Sequence, residues 1–111
     1  MWICLNDAFL SIVTDTANPD RLLVRARGRG DIERVFTDAL VSENTGTDYR
    51  YRTRLPRATV ASTLSARIAD IDYPNFKATV TETERHAAYS RLWGVMYRLL
   101  KFELGTEEMS P

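Results

Sequence analysis

The stretch Asp48–Pro56, DYRYRTRLP, constrains the fold more than any other because it alternates with almost no slippage. Successive side chains of a β-strand point to opposite faces. Tyr49, Tyr51, Thr53 and Leu55 are therefore predicted on one side, and Arg50, Arg52 and Arg54 on the other. Such alternation belongs to an antiparallel sheet that has helices on one face and water on the other.

The remaining segments supply partners for that strand. WICL and AFLSIV are rich in β-formers, and Asn6-Asp7 between them either closes a tight hairpin, as a pair that tolerates positive φ, or bulges one long strand. TDTANPD is a turn cluster. RLLVRAR reads as a strand with Leu22, Val24 and Ala26 on one face and Leu23, Arg25 and Arg27 on the other. Gly28 and Gly30 break it, Asp31 is an N-cap candidate, and Ile32, Val35 and Phe36 form the apolar side of a short helix. SENTGTD reads as a polar loop. Pro56 suits the first position of a second helix, striped by Val60, Leu64, Ile68 and Ile71 and ended near Pro74. Thr81-x-x-Glu84 has the form of a capping box and opens about 20 helical residues, ~30 Å long. The expected fold is α+β: an antiparallel three- to four-stranded sheet with helices on one face, order β-β-β-α-β-α-α, with a long C-terminal helix. It forms one domain over residues 1–104, followed by a polar tail, 105–111.

Net charge is zero, but its distribution is uneven. Residues 21–67 carry ten arginines against five acids, and thirteen of the fifteen basic residues in the chain are arginine. Arginine favours bidentate contacts to carboxylate or phosphate, although base-composition bias produces the same enrichment. If RLLVRAR and DYRYRTRL turn their apolar residues toward the same helices, Arg25, Arg27, Arg50, Arg52 and Arg54 share the open face. Like charges directly opposite repel, so acids or a bound anion are expected beside them. That face is either a solvated surface neutralised by the chain's own carboxylates or a basic platform. As a platform it suits an acidic protein surface or a nucleic-acid backbone. The tyrosines of the same strand, predicted to face away from the arginines, weigh against base stacking.

The last helix is too apolar for one packed stripe. Tyr89, Trp93, Met96 and Leu100 follow one line, and Ala88, Leu92, Val95, Leu99 and Phe102 follow another. A small sheet covers one line of such a helix, so the second is left for another helix or another molecule. Tyr89, Trp93, Met96, Tyr97 and Leu100 are the candidate interface, since Trp, Tyr and Met are enriched in interface cores, and a homodimer is expected. Gly94, costly inside a helix, is expected to permit a close backbone approach.

The residues argue against catalysis, cofactor or metal. His86 is the sole histidine, Cys4 the sole cysteine, and no nucleophile-elbow motif is present. Asp70-x-Asp72 has no second acidic cluster and is read as a helix end. GRG before a helix resembles a minimal anion nest, but the Asp31 carboxylate is expected to occupy it. No run approaches the roughly 18 apolar residues of a membrane span, and MWICL lacks the basic flank of a signal peptide, so the expected location is cytoplasmic.

MWICLNDAFLSIV, LLVRARGRGDIERVF and DYPNF together resemble a small family of bacterial and mobile-element proteins that begin with Trp-Ile-x-Leu-Asn-Asp. The resemblance implies a small, cytosolic, non-enzymatic protein. Mobile elements encode single domains of this size that block host defence complexes, anti-CRISPR proteins among them. By that analogy the expected function is a protein-binding module acting by steric and electrostatic occlusion, with nucleic-acid binding through the arginine face as the alternative.

Overall fold

The computed structural model describes residues 1–104 and has the expected α+β architecture. In chain order the elements are β1 (Trp2–Cys4), β2 (Phe9–Thr14), β3 (Arg21–Ala26), α1 (Asp31–Val35), β4 (Ser42–Glu43), β5 (Tyr51–Pro56) and α2 (Arg57–Ala69). A 3-10 turn (Lys77–Thr79), α3 (Thr83–Met96) and α4 (Arg98–Leu104) follow. The sheet is antiparallel, in the order β1-β2-β3-β5-β4. It has five strands rather than three or four because Ser42 and Glu43, in the segment read as a polar loop, pair with Arg52 and Tyr51 along the sheet edge. The predicted tail, 105–111, lies outside the described residues.

Two compact units divide the chain, Met1–Pro74 and the segment from Asn75 onward. In the first, alternation sends Leu10 and Ile12 of β2, Val24 and Ala26 of β3, and Tyr51 and Thr53 of β5 to one face, where all are buried. Ile32, Val35 and Phe36 at α1 and Val60 from α2 close over them. Leu10, Val24 and Ile32 have no exposed surface, and full burial of each such side chain contributes about 1.5–3 kcal/mol. The α2 stripe is covered only at its start. Ile68 and Ile71 are 68% and 50% exposed, beside an apolar cavity of about 310 Å³ that Met1, Ile3, Leu5 and Leu64 also line.

The connections differ from expectation in informative ways. The β1–β2 link is the hairpin, with the Leu5 amide donating to the Ala8 carbonyl at 2.8 Å. Neither Asn6 nor Asp7 takes a positive φ; Arg67 instead ties the turn to α2 through the Asp7 carboxylate at 2.7 Å. Asp31 is the first helical residue rather than the cap, a place taken by Gly30 in the left-handed conformation (φ 86°). Its buried carboxylate accepts the Phe9 amide at 3.0 Å and pairs with Arg34. A Cβ at Gly28 would stand 3.0 Å from that carboxylate, so the glycine makes room for it. Pro56 is the N-cap of α2, not its first residue.

In the second unit the capping box does not form: α3 starts at Thr83 after Glu82, with no side-chain cap bond. Phe76 stacks on Tyr89 at 5.9 Å between ring centroids. Tyr97 keeps right-handed helical angles between α3 and α4. Among the described residues nothing lies near the position of a Cβ at Gly94, so none of them makes the expected close approach. No helix among the described residues is long and apolar enough to cross a membrane.

Candidate functional site

The register of the sheet assembles a row across its outer face. Trp2 pairs with Ser11, Ser11 with Arg25, Arg25 with Arg52, and Arg52 with Ser42, so one residue of each strand joins a line of Trp, Ser, Arg, Arg and Ser. Four strand spacings make it about 19 Å long. Two guanidinium side chains directly opposite each other are an unfavourable cross-strand pair unless something negative lies against them.

The chain's own carboxylates neutralise the rim of this face rather than its centre. Asp48 takes Arg27 at 2.8 Å and the buried Asp15 takes Arg54 at 3.5 Å, whereas the Glu43–Arg29 pair belongs to the opposite face, where Arg29 lies over the Tyr51 ring. The hydrogen bond from Arg27 holds the Asp48 carboxyl below the ordinary aspartate range, and its partner guanidinium is raised correspondingly. Among the described residues no carboxylate forms an ion pair with Arg25 or Arg52. Arg25 donates to the Ser11 hydroxyl at 2.7 Å, and Arg52 Nε donates to the Tyr49 carbonyl at 3.2 Å. The buried Nε of Arg25 has no hydrogen-bond partner among the described residues, an uncommon state for a buried donor.

Tyr49 is the main departure from the alternating pattern. Strand β5 begins only at Tyr51, and Tyr49 turns onto the arginine face, where it is buried. The guanidinium carbons of Arg25 and Arg27 each lie 4.4 Å from its ring centroid, and its hydroxyl accepts the Trp2 indole N–H at 3.0 Å. Burial alone pushes this phenol up. Hydrogen bonds from Ser11 and Trp2 and the charges of Arg27 and Arg25 outweigh it and hold Tyr49 below the ordinary tyrosine value. Trp2 is 59% exposed and is fixed on its other side by an edge contact with Phe9, centroids 5.5 Å apart. Of the five arginines expected together, Arg25 and Arg52 form the centre, and Arg27 and Arg54 are paired at the rim. Arg50 is exposed just before β5. Trp2 was not among the expected site residues, because only strand register brings it into line with them.

The second candidate surface is the end of α3 with α4. Trp93, Val95, Met96, Tyr97, Leu99, Leu100 and Phe102 are between 42% and 81% exposed. Trp93 stacks on Tyr97, centroids 5.4 Å apart, and the Lys77 ammonium lies 4.7 Å from the indole. Tyr89, expected in the same interface, is buried instead.

His86 is exposed on α3, and Glu82 directs its carboxylate to Arg85 at 3.1 Å. Among the described residues no three His, Cys, Asp or Glu side chains gather as a metal-ion site. Comparison with protein-family models, curated proteins and solved structures yields no match.

Proposed function

We propose that the protein is a non-enzymatic protein-binding module that self-associates through the end of α3 and α4. The supporting observation is the run of seven large apolar side chains, Trp93 to Phe102, exposed on both lines of one helical segment. Monomeric soluble proteins rarely present contiguous apolar patches above a few hundred Å², and larger ones mark interaction sites. Trp93 and Tyr97 are the anchors, stacked on one another before any partner arrives, which reduces the side-chain entropy lost on docking. In the mobile-element setting suggested by the resemblance, such a module would act by occupying a surface that a host complex needs.

Light scattering across protein and salt concentration tests this reading. A mass of about 25 kDa, twice the 12.7 kDa chain, that persists at high salt is the expected result. Trp93→Ala should return it to one chain with an unchanged far-ultraviolet spectrum. A single-chain mass at every concentration contradicts the proposal.

A further inference from the structure

The outer sheet face has its own ligand chemistry, independent of self-association. Arg25 and Arg52 stand directly opposite each other with no ion-pair partner among the described residues, and the buried Nε–H of Arg25 is unsatisfied among them. The juxtaposed charges favour an anion at the centre of the face. The ion pairs of Arg27 and Arg54 remove competing positive charge at the rim and leave the demand at this pair. The buried Ser11 hydroxyl, at the adjacent position of the row, holds the Arg25 guanidinium in place rather than reaching a ligand itself.

The aromatic end of the row discriminates between anions. Trp2 is held by its N–H on Tyr49 and by its edge contact with Phe9, yet more than half of it remains open. A peptide carboxylate satisfies the arginines but gives this pre-oriented indole nothing in particular. A nucleic-acid single strand presents phosphates and unpaired bases at once, and base stacking on an aromatic ring is tolerant of sequence. Duplex DNA keeps its bases stacked inside the helix and would use the arginines alone.

We propose that the outer sheet face binds single-stranded nucleic acid, with phosphate at Arg25 and Arg52 and a base stacked on Trp2. Tyr49 is a positioning residue: its ring stacks on the Arg25 guanidinium, its backbone carbonyl accepts Arg52 Nε–H, and its hydroxyl fixes the indole.

Fluorescence anisotropy of labelled oligothymidylate and oligouridylate with the full chain tests the proposal, with duplex DNA and polyglutamate as competitors. Binding should weaken steeply with salt, and the single strand should compete better than duplex or polyglutamate. The double variant Arg25→Gln/Arg52→Gln should reduce the magnitude of the logarithmic salt slope by about 1.4, since each phosphate contact on a single strand contributes about 0.7. Trp2→Ala should weaken binding by about 5- to 100-fold. Trp2→Phe keeps a ring for stacking and should lie between, so loss of fold in the alanine variant is separable from loss of stacking. Absence of oligonucleotide binding at low salt overturns the proposal. Equal competition by polyglutamate also overturns it, in favour of an acidic protein, and arginine variants that bind like wild type do the same.

Discussion

The two units of this chain treat their apolar side chains in opposite ways. In residues 1–74, Leu10, Val24 and Ile32 are wholly covered, because β2, β3 and α1 place them on facing surfaces. In α3 and α4, Trp93, Leu99 and Phe102 are each more than half exposed, on a segment whose helical form needs no partner to satisfy its backbone. A helix meets its hydrogen-bonding requirement locally, but its apolar lines are stabilising only when another surface covers them. The first unit therefore has a closed core, open only at Ile68 and Ile71 at the end of the α2 stripe, and the second reads as a surface awaiting an occupant.

Truncation should expose this difference most strongly in the first unit. Leu10→Ala is expected to cost about 2–5 kcal/mol in denaturant unfolding, through lost transfer energy and the cavity left behind. A cost below about 1 kcal/mol there would mean that this core is loosely packed. Asp31→Ala is expected to cost about 2–3 kcal/mol, since the Phe9 amide and Arg34 lose their acceptor; the partly exposed Arg34 keeps the figure from being larger.

Two glycines sharpen the same contrast with opposite signs. Gly28→Ala drives a methyl against the Asp31 carboxylate and should destabilise by about 1–3 kcal/mol. Gly94→Ala meets open space inside a helix and should stabilise α3 by up to about 1 kcal/mol, visible as higher helicity on melting. A destabilising Gly94→Ala would show that the backbone there touches something, as a tight helix–helix interface requires.

The smallest effect is a pH dependence confined to the outer face. An ultraviolet absorbance titration should show a tyrosine ionising below the ordinary tyrosine value, and this step should vanish in Tyr49→Phe. Because its folded-state value is lowered, the folded protein releases that proton before the unfolded chain does. Its contribution to stability therefore rises with pH between the folded and unfolded values. Titration of Tyr49 together with the other tyrosines would contradict the hydrogen-bonded geometry around its hydroxyl.

Much of this contrast was legible in local sequence patterns. Period-two alternation in RLLVRAR placed Val24 and Ala26 in the core and Arg25 opposite them, and that strand follows the pattern to its end. The same rule failed at Tyr49 because alternation holds only within a strand, and β5 starts two residues later. Helical spacing revealed two apolar lines in the last segment, but not which residues find cover. Tyr89 does so by meeting Phe76, thirteen residues earlier and beyond any periodic signal. The role of Trp2 was out of reach for a related reason. It joins Arg25 and Arg52 only through three successive strand pairings, and register depends on turns whose geometry the residues did not reveal. The β1–β2 turn illustrates this: Asn6-Asp7 was suited to positive φ, yet the hairpin closes without it.

The central claim, that the end of α3 with α4 is covered by a second copy, is tested most directly by the emission of Trp93. In the Trp2→Phe background Trp93 is the only tryptophan in the chain. Its emission maximum should shift to shorter wavelength as protein concentration rises and return on dilution, following the same midpoint as the scattering mass. An emission maximum characteristic of a water-exposed indole at every concentration would contradict self-association through this surface.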